Sequence, residues 1–301
     1  MQFNEFCACL CVLAPLGAGA QSIPGRDLLE FPLGSLAEGG ALSLSSGDGF
    51  RNPAAAALPP GARARFTVSS LTTGSDQGVA GQIVALTQRG PRATALGITV
   101  ARAVVTDIVR TETDPQAVGG AVPYGTLVVS AHAARRTAGP ATAGVAVRYQ
   151  RGELDLERRG GVGIDAGVVA ENLLGIDGRL AAATFLWRPG TRSREGAAFT
   201  GAFDARALGA DTLRELRAAY SYSHAPGRSR EHFVWLMGRL GPVEGRVGAA
   251  RTFAASHRTT RARLAIGLHH ARYLVAVARE ESPFGLSPVY HFTLVTTFAR
   301  D

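Results

Sequence analysis

The side chains that could do chemistry are few, and their spacing works against them. Ser221 and His224 stand three apart in the run Ser221-Tyr222-Ser223-His224, and a serine beside a histidine is what nucleophilic hydrolysis needs. Residues three apart on a strand point to opposite faces, so the two cannot meet if this stretch is extended. A cross-strand pair such as Ser223 with His232 would need a fold that the sequence does not declare. His269 and His270 are adjacent, and on a strand they too face opposite ways, so they make no bidentate metal site. All three cysteines, Cys7, Cys9 and Cys11, lie near the start of the chain. With few histidines and no carboxylate cluster at ligand spacing, no metal centre is expected. Gly161-Val162-Gly163 with Gly167 resembles a nucleotide loop superficially, but a dinucleotide fingerprint sits between a strand and a helix. These glycines lie inside an alternating run, where small residues let a strand bend or a neighbour approach. No enzyme activity and no cofactor are expected.

What must position these residues is a long series of short strands. From residue 62 onward the chain breaks at Gly, Pro, Asp or Arg-rich points, and period-two alternation fills the intervals. The candidate runs are 62–72, 77–89, 92–105, 122–134, 141–151, 161–172, 178–188, 196–206, 212–224, 231–240, 243–255, 258–270, 271–281 and 288–299. Most are close to the length of a tilted strand crossing a bilayer, about 9–11 residues. They number about fourteen, and single-chain bacterial barrels have an even number of strands. In 258–270 Leu264, Ile266 and Leu268 share one face, while Thr259, Arg261, Arg263, Ala265, Gly267 and His269 share the other. In 212–224 Leu216, Ala218, Tyr220 and Tyr222 oppose Glu215, Arg217, Ala219, Ser221 and Ser223, and in 141–151 Val145, Val147 and Tyr149 oppose Thr142, Gly144, Arg148 and Gln150. A soluble sandwich also alternates. Gly, Ala, Ser and single arginines opposite the aliphatics suit the crowded, wet interior of a barrel better. The last run puts Tyr290, Phe292, Leu294 and Phe298 on one face and resembles the C-terminal insertion signal of outer-membrane proteins, although Ala299-Arg300-Asp301 follows the aromatic. Segments 106–121 and 152–160 are polar and turn-rich and read as long loops.

The barrel reading sets the place of the charges. Every one of the 32 Lys+Arg positions is arginine, and the net charge is +8. A basic surface attracts anions. The arginines are spread along the chain and gathered by no reading element, so nucleic acid is excluded as a partner. Arg148, Arg246, Arg261 and Arg263 lie within strands, and on the lipid face at midplane each would cost about 2–4 kcal/mol. They are expected to line the lumen or lie near a rim. There they would give an open lumen an anion preference, or pair with Glu215, Glu244 or Glu280; the sequence leaves both open. Tyr124, Trp187, Tyr220, Tyr222, Trp235, Tyr273, Tyr290 and Phe298 sit mostly toward run ends, as an interfacial girdle would.

Ahead of the strands, residues 1–20 read as a signal peptide. Cys7 to Leu16 is a short apolar core and Ala18-Gly19-Ala20 a small-residue cleavage site, although Met1 to Phe6 carries Glu5 and no basic residue. Cleavage would leave a mature chain without cysteine. The segment 21–61 then holds the stretch Gly34 to Leu58, too rich in glycine for a packed helix and too irregular for a strand. It closes on Asn52-Pro53-Ala54, an Ala run and Pro59-Pro60, a strong turn signal. Gly39, Gly40 and Ala41, then Asp48, then Asn52, Pro53, Ala54 and Leu58 resemble the N-terminal signature of the long-chain fatty-acid transporter (FadL-like) superfamily and its PorV/PorQ-like relatives. The departures are Ala55, where that group has glycine, and a less apolar run between the glycines and the acid.

The resemblance implies an all-β, antiparallel transmembrane barrel (62–301) with Gly34 to Leu58 tucked against or into its periplasmic mouth and Asn52-Pro53-Ala54 as part of an inner hatch. It implies an outer-membrane location, with membrane lipid and lipopolysaccharide as surroundings, and passive transport of small hydrophobic or amphipathic molecules. A second implied function is a non-transporting scaffold that holds a secreted protein partner. A soluble periplasmic β-protein is the third alternative. A continuous apolar lumen would favour transport, and a lumen filled by small residues would favour the scaffold.

Overall fold

Period-two alternation becomes a wall. The computed structural model describes residues 23–299 except 32, 75–76, 107, 112–117, 138, 173–176, 187, 189–196, 212–213, 255–256 and 283–285. The signal-peptide segment 1–20 and Trp187 lie outside the described residues. The strands in chain order are β1 (Ala62–Thr72), β2 (Val79–Arg89), β3 (Thr94–Val105), β4 (Val109–Thr111), β5 (Val118–Ala121), β6 (Tyr124–Arg136), β7 (Ala141–Leu154) and β8 (Glu157–Glu171). They continue as β9 (Gly178–Phe185), β10 (Ala198–Asp211), β11 (Arg214–Ala225), β12 (Ser229–Leu240), β13 (Val243–Ala254), β14 (Arg258–His270), β15 (Tyr273–Glu280) and β16 (Val289–Ala299). Fourteen of them close an antiparallel barrel in which every neighbour is next in chain order, save that the β4–β5 hairpin stands apart between β3 and β6. Closure is made by β1 on β16, from Ala62↔Ala299 to Thr72↔Tyr290.

The two faces are sorted as the alternation requires. Val145, Val147 and Tyr149 on β7 and Leu264, Ile266 and Leu268 on β14 point outward and are exposed. So do Val84 and Leu86 on β2, Val234 and Leu236 on β12, and Val275 and Val277 on β15. An apolar surface running right round a barrel far exceeds the patches that water-exposed monomers carry. No helix among the described residues is long and apolar enough to cross a membrane. The two rims differ. At one rim the connections 90–93, 137–140, 172–177, 212–213, 241–242 and 271–272 are short. At the other, 73–78, 155–156, 226–228 and 255–257 are short, but 106–123, 186–197 and 281–288 are longer than any connection at the first.

Two loop expectations change. Residues 152–160 are not a loop: β7 and β8 continue to a tight turn at Asp155-Leu156, with Glu153↔Arg158 and Leu154↔Glu157 still in register. Glu153 lies 3.5 Å from Arg158, and Glu157 lies 3.0 Å from Arg159. Charged side chains here mark a ladder that has left the apolar band, not one that has ended. Segment 106–121 contains the small β4–β5 hairpin. The run expected over 178–188 stops at Phe185, because Leu186 turns left-handed (φ 54°) and sends its N–H to the Asp165 carboxylate at 2.5 Å.

The lumen is occupied by the chain's own start. Residues 23–61 run the height of the barrel; within them Gly34 to Leu58, the stretch expected against or into one mouth, bonds the wall at Thr67 and Thr99 and leads to the short-turn rim at Pro59. Pro24 lies against Gly152 and Glu30 is 3.2 Å from Arg228, both at the long-loop rim. Pro59 accepts from Arg89 at 2.9 Å at the short-turn rim. The cause is apolar area: Leu28, Leu29, Leu33, Leu36, Leu42 and Phe50 are all at most 3% exposed. Each such residue gains about 1.5–3 kcal/mol by leaving water, and the small inward residues of the wall leave room for them. Beyond the short turn at Arg26–Glu30, two more shape the segment. Gly40–Leu42 forms one, and Pro53–Ala56 forms the other with Asn52 as its cap. The Asn52 side chain accepts from Ala54 N at 2.9 Å and donates to the Ala41 carbonyl at 2.8 Å, which joins the two turns.

The wall gives way where the second turn touches it. Gly144 on β7 and Gly167 on β8 are register partners. A Cβ on Gly144 would fall 2.4 Å from Ala54 N, and one on Gly167 would fall 1.9 Å from Asn52 Oδ1. Gly144→Val therefore forces the turn off the wall. It is expected to cost about 1–3 kcal/mol, as overpacking does, and to lower the temperature at which the unboiled, fast-migrating barrel band is lost on a gel. An unchanged transition would contradict this contact.

Candidate functional site

Where the inner segment leaves the wall, two cavities remain. The first opens toward the long-loop rim and has a volume of about 400 Å³; Phe31, Arg51, Phe185, Phe199, His224, Glu231, Arg261 and Arg263 are among its lining. The second opens toward the short-turn rim and has a volume of about 390 Å³; Glu171, Asp177, Arg179, Glu215, Arg217, Glu244 and His269 contribute to it. Glu38 lines both. The partition between them is the stretch 35–45, and its polar centre is a buried knot. Glu38 accepts from Ser45 N at 3.2 Å and from Ser45 Oγ at 2.7 Å, and lies 3.2 Å from Arg246. Arg246 also donates to the Leu36 carbonyl at 2.7 Å and to Ser45 Oγ at 2.6 Å, and it pairs with Glu244. Leu36 and Ala37, just before Glu38, both have positive φ (30° and 57°). That region disfavours side chains, so packing and the Arg246 contact hold the bend.

The four arginines singled out in the sequence all point inward, and each has carboxylate partners. Arg148 is fully buried and pairs with Asp165. Its guanidinium lies 4.8 Å from the ring centres of both Phe50 and Phe185, and it donates to the Phe50 carbonyl. Arg261 and Arg263 share Glu231 at 2.8 Å each, and Glu280 at 2.5 and 2.7 Å. Of the acids proposed as partners, Glu244 and Glu280 pair with these arginines, while Glu215 sits 3.5 Å from Arg217 and 3.6 Å from Arg206. The described outer lining holds the carboxylates of Asp27, Glu30, Glu38 and Glu231 against Arg51, Arg261 and Arg263. The inner lining holds Glu38, Glu171, Asp177, Glu215 and Glu244 against Arg179, Arg217 and Arg239. Among the described lining residues carboxylates outnumber guanidinium groups in each, with Glu38 shared between the two.

Gly39 is pressed onto Ser221 and Trp235, close enough that a Cβ would lie 2.3 Å from Ser221 Oγ. Ala41 packs with Ala54 and Trp235 in one buried cluster. Pro53 is buried beside Gly144. Asp48 accepts from Phe50 N at 2.8 Å. Ser223 faces inward and meets Thr200 at 3.0 Å, while His232 faces outward with Tyr220 at 2.7 Å, so the two diverge. Trp235 and Tyr124 leave the expected girdle: Trp235 is buried in the lumen, stacked on Phe233 at 4.9 Å, and Tyr124 bonds Asp27. Parity is the reason, since both stand on the inward register of their strands. Tyr220, Tyr222, Tyr273, Tyr290 and Phe298 do face outward. Glu38, Arg51, Asp165 and Glu231 were missed, although the inward parity of Asp165 and Glu231 was readable from their runs.

No protein-family model matches the chain, and no curated protein sequence matches it. Solved structures do. The CymD monoaromatic hydrocarbon channel superimposes with a TM-score of 0.58 at 10% identity, covering 89% of this chain and 98% of that one. The Pseudomonas putida toluene transporter TodX gives 0.57 at 11% identity, covering 95% and 98%. The likeness is one of fold.

Asp48 offers a pH test of the buried segment. Burial pushes its carboxyl above the ordinary 3.8, outweighing the Phe50 N–H, the Ser46 hydroxyl and the charges of Arg51 and Arg148. The folded chain thus keeps this proton at pH values where the unfolded chain has lost it, and the contribution to stability falls as pH rises through that window. Asp48→Asn removes the term. Melting of the variant relative to the parent is expected to improve from pH 4 to pH 7, and a pH-independent difference would contradict the assignment.

Proposed function

We propose that this chain is an outer-membrane transport barrel that passes small hydrophobic or amphipathic molecules. The observation that carries the reading is the pair of cavities, one open to each rim, with a single short partition between them. A scaffold has no use for two facing vestibules. The small inward residues that would have favoured a scaffold are taken up instead in housing the inner segment. The outward apolar surface and the fold it shares with the two hydrocarbon channels support the same reading. Longer connections lie outside in such barrels and short turns in the periplasm, which makes the cavity beside Phe31 and Phe199 the entrance.

The charges set the class of solute. Aromatic and alanine side chains share the outer lining with paired arginines, and the described carboxylates outnumber the guanidinium groups in both vestibules. An anionic solute meets like charge, and Arg261, Arg263, Arg179 and Arg217 are already ion-paired. Uncharged and cationic amphiphiles are preferred. Passage requires the partition to move, and the Glu38–Arg246 contact holds it.

Uptake of a neutral naphthylamine fluorophore by cells with an intact lipopolysaccharide layer tests this. Cells carrying the protein are expected to fill faster than cells without it, and a carboxylated analogue to show no such gain. Glu38→Gln, which loosens the partition by weakening one buried charge pair, is expected to raise the rate several-fold. Equal filling with and without the protein would sink the transport reading.

A further inference from the structure

The outer face of the wall carries a cationic cluster that the transport reading does not use. Arg230 on β12, Arg251 on β13 and Arg258 on β14 all point outward and are exposed. They converge on Phe253, whose register partners are Arg230 on one side and Arg258 on the other. The guanidinium carbons of Arg251 and Arg258 lie 5.2 and 5.6 Å from the centre of that ring. Arg279, outward on β15, has Glu281 at 2.8 Å. Among the described residues no carboxylate lies within ion-pair distance of the other three. His232 and Tyr222 continue the patch in the next row, where His232 is the register partner of both Tyr222 and Arg251.

Position and charge together define the occupant. The three arginines lie among the four residues of their strands nearest the long-loop rim, the side argued above to face outward. Below them the same strands present Val234, Leu236, Val247, Leu264 and Ile266 as an exposed apolar strip. Charge on the lipid side is costly at midplane but costs only about 0–1 kcal/mol near the interface. Three like charges grouped around one ring attract an anion between them, and guanidinium forks match phosphoryl oxygens two at a time. We infer that Arg230, Arg251 and Arg258 bind the phosphorylated headgroup of an outer-leaflet glycolipid, the lipid A of lipopolysaccharide. Its acyl chains lie along the strip beneath.

The test is a titration of the full chain in detergent with bisphosphorylated lipid A, followed by native mass spectrometry. The variant Arg230→Ala/Arg251→Ala/Arg258→Ala is expected to bind about tenfold or more weakly, since hydrogen bonds to charged groups are individually strong. Arg102→Ala, an outward arginine elsewhere on the wall, is expected to bind as the parent does. Lipid A stripped of phosphate is expected to bind the parent as poorly as intact lipid A binds the triple variant. Equal affinity of parent and triple variant overturns the site, as does an equal loss in Arg102→Ala, which would indicate diffuse attraction. Phosphatidylglycerol binding as tightly as lipid A would overturn the choice of glycolipid. If the triple variant loses the heat-modifiable band, Arg251→Gln is read in its place, with a clear loss expected and none overturning the site.

Discussion

An irregular backbone enclosed by a closed sheet has nowhere to send its carbonyls except into the wall. Each buried peptide group must find a partner, and the stretch 23–61 has almost no ladder of its own. The wall supplies the donors. Thr67 and Thr99 reach the Ser46 and Asp48 carbonyls at 2.6 Å each, Arg246 takes that of Leu36, and Arg148 takes that of Phe50. Arginine suits the work because its fork can meet a carbonyl and a carboxylate at once. Each such arginine is itself a buried charge, which brings in Asp165 for Arg148 and Glu244 for Arg246. Leaving one member of such a pair alone typically costs about 3–5 kcal/mol. The inward charges of this barrel are therefore first a way of housing the inner segment.

The same constraint explains why the cavities lie where they do. Between β6 and β8 the wall offers Gly144 and Gly167, and the Asn52 turn is pressed flat against them. On the opposite side β10 to β14 carry larger inward groups, such as Glu231, Arg261 and Arg263, that pair among themselves. The segment meets that side through the stretch 35–45, by Gly39 against Ser221 and Trp235 and by the Arg246 knot, and space opens above and below it.

Much of the fold was legible from period two alone, because lipid outside and small or charged groups inside impose opposite demands on alternate residues. The strands from 62–72 to 289–299 and their faces follow from that, as does the inward aim of Arg148 and Arg263. What was not legible depends on contacts between distant parts of the chain. Asp165 is seventeen residues from Arg148, Glu280 seventeen from Arg263, and Glu38 more than two hundred from Arg246, so only the barrel brings each pair together. The path of residues 23–61 was hidden for the same reason, since glycine and turn signals say that a segment is irregular but not which cavity it fills. The stretch 152–160 misled because polarity reports the solvent around a strand, not whether its ladder continues.

The route of the inner segment also bears on how the molecule is assembled. It begins beside Gly152 at the rim of long loops and ends at Pro59 beside the opposite rim, covalently joined to β1. Its leucines, Phe50 and the Asn52 turn leave little clearance against inward arginines and aromatics. Pulling such a cord through a finished tube would mean stripping each carbonyl of its donor in turn. Laying it across a sheet that is still open avoids this, with the seam between β1 and β16 drawn shut afterwards. The last ladder to form would then be the one between the first and final strands, and the plug would serve as the mandrel around which the cylinder is rolled.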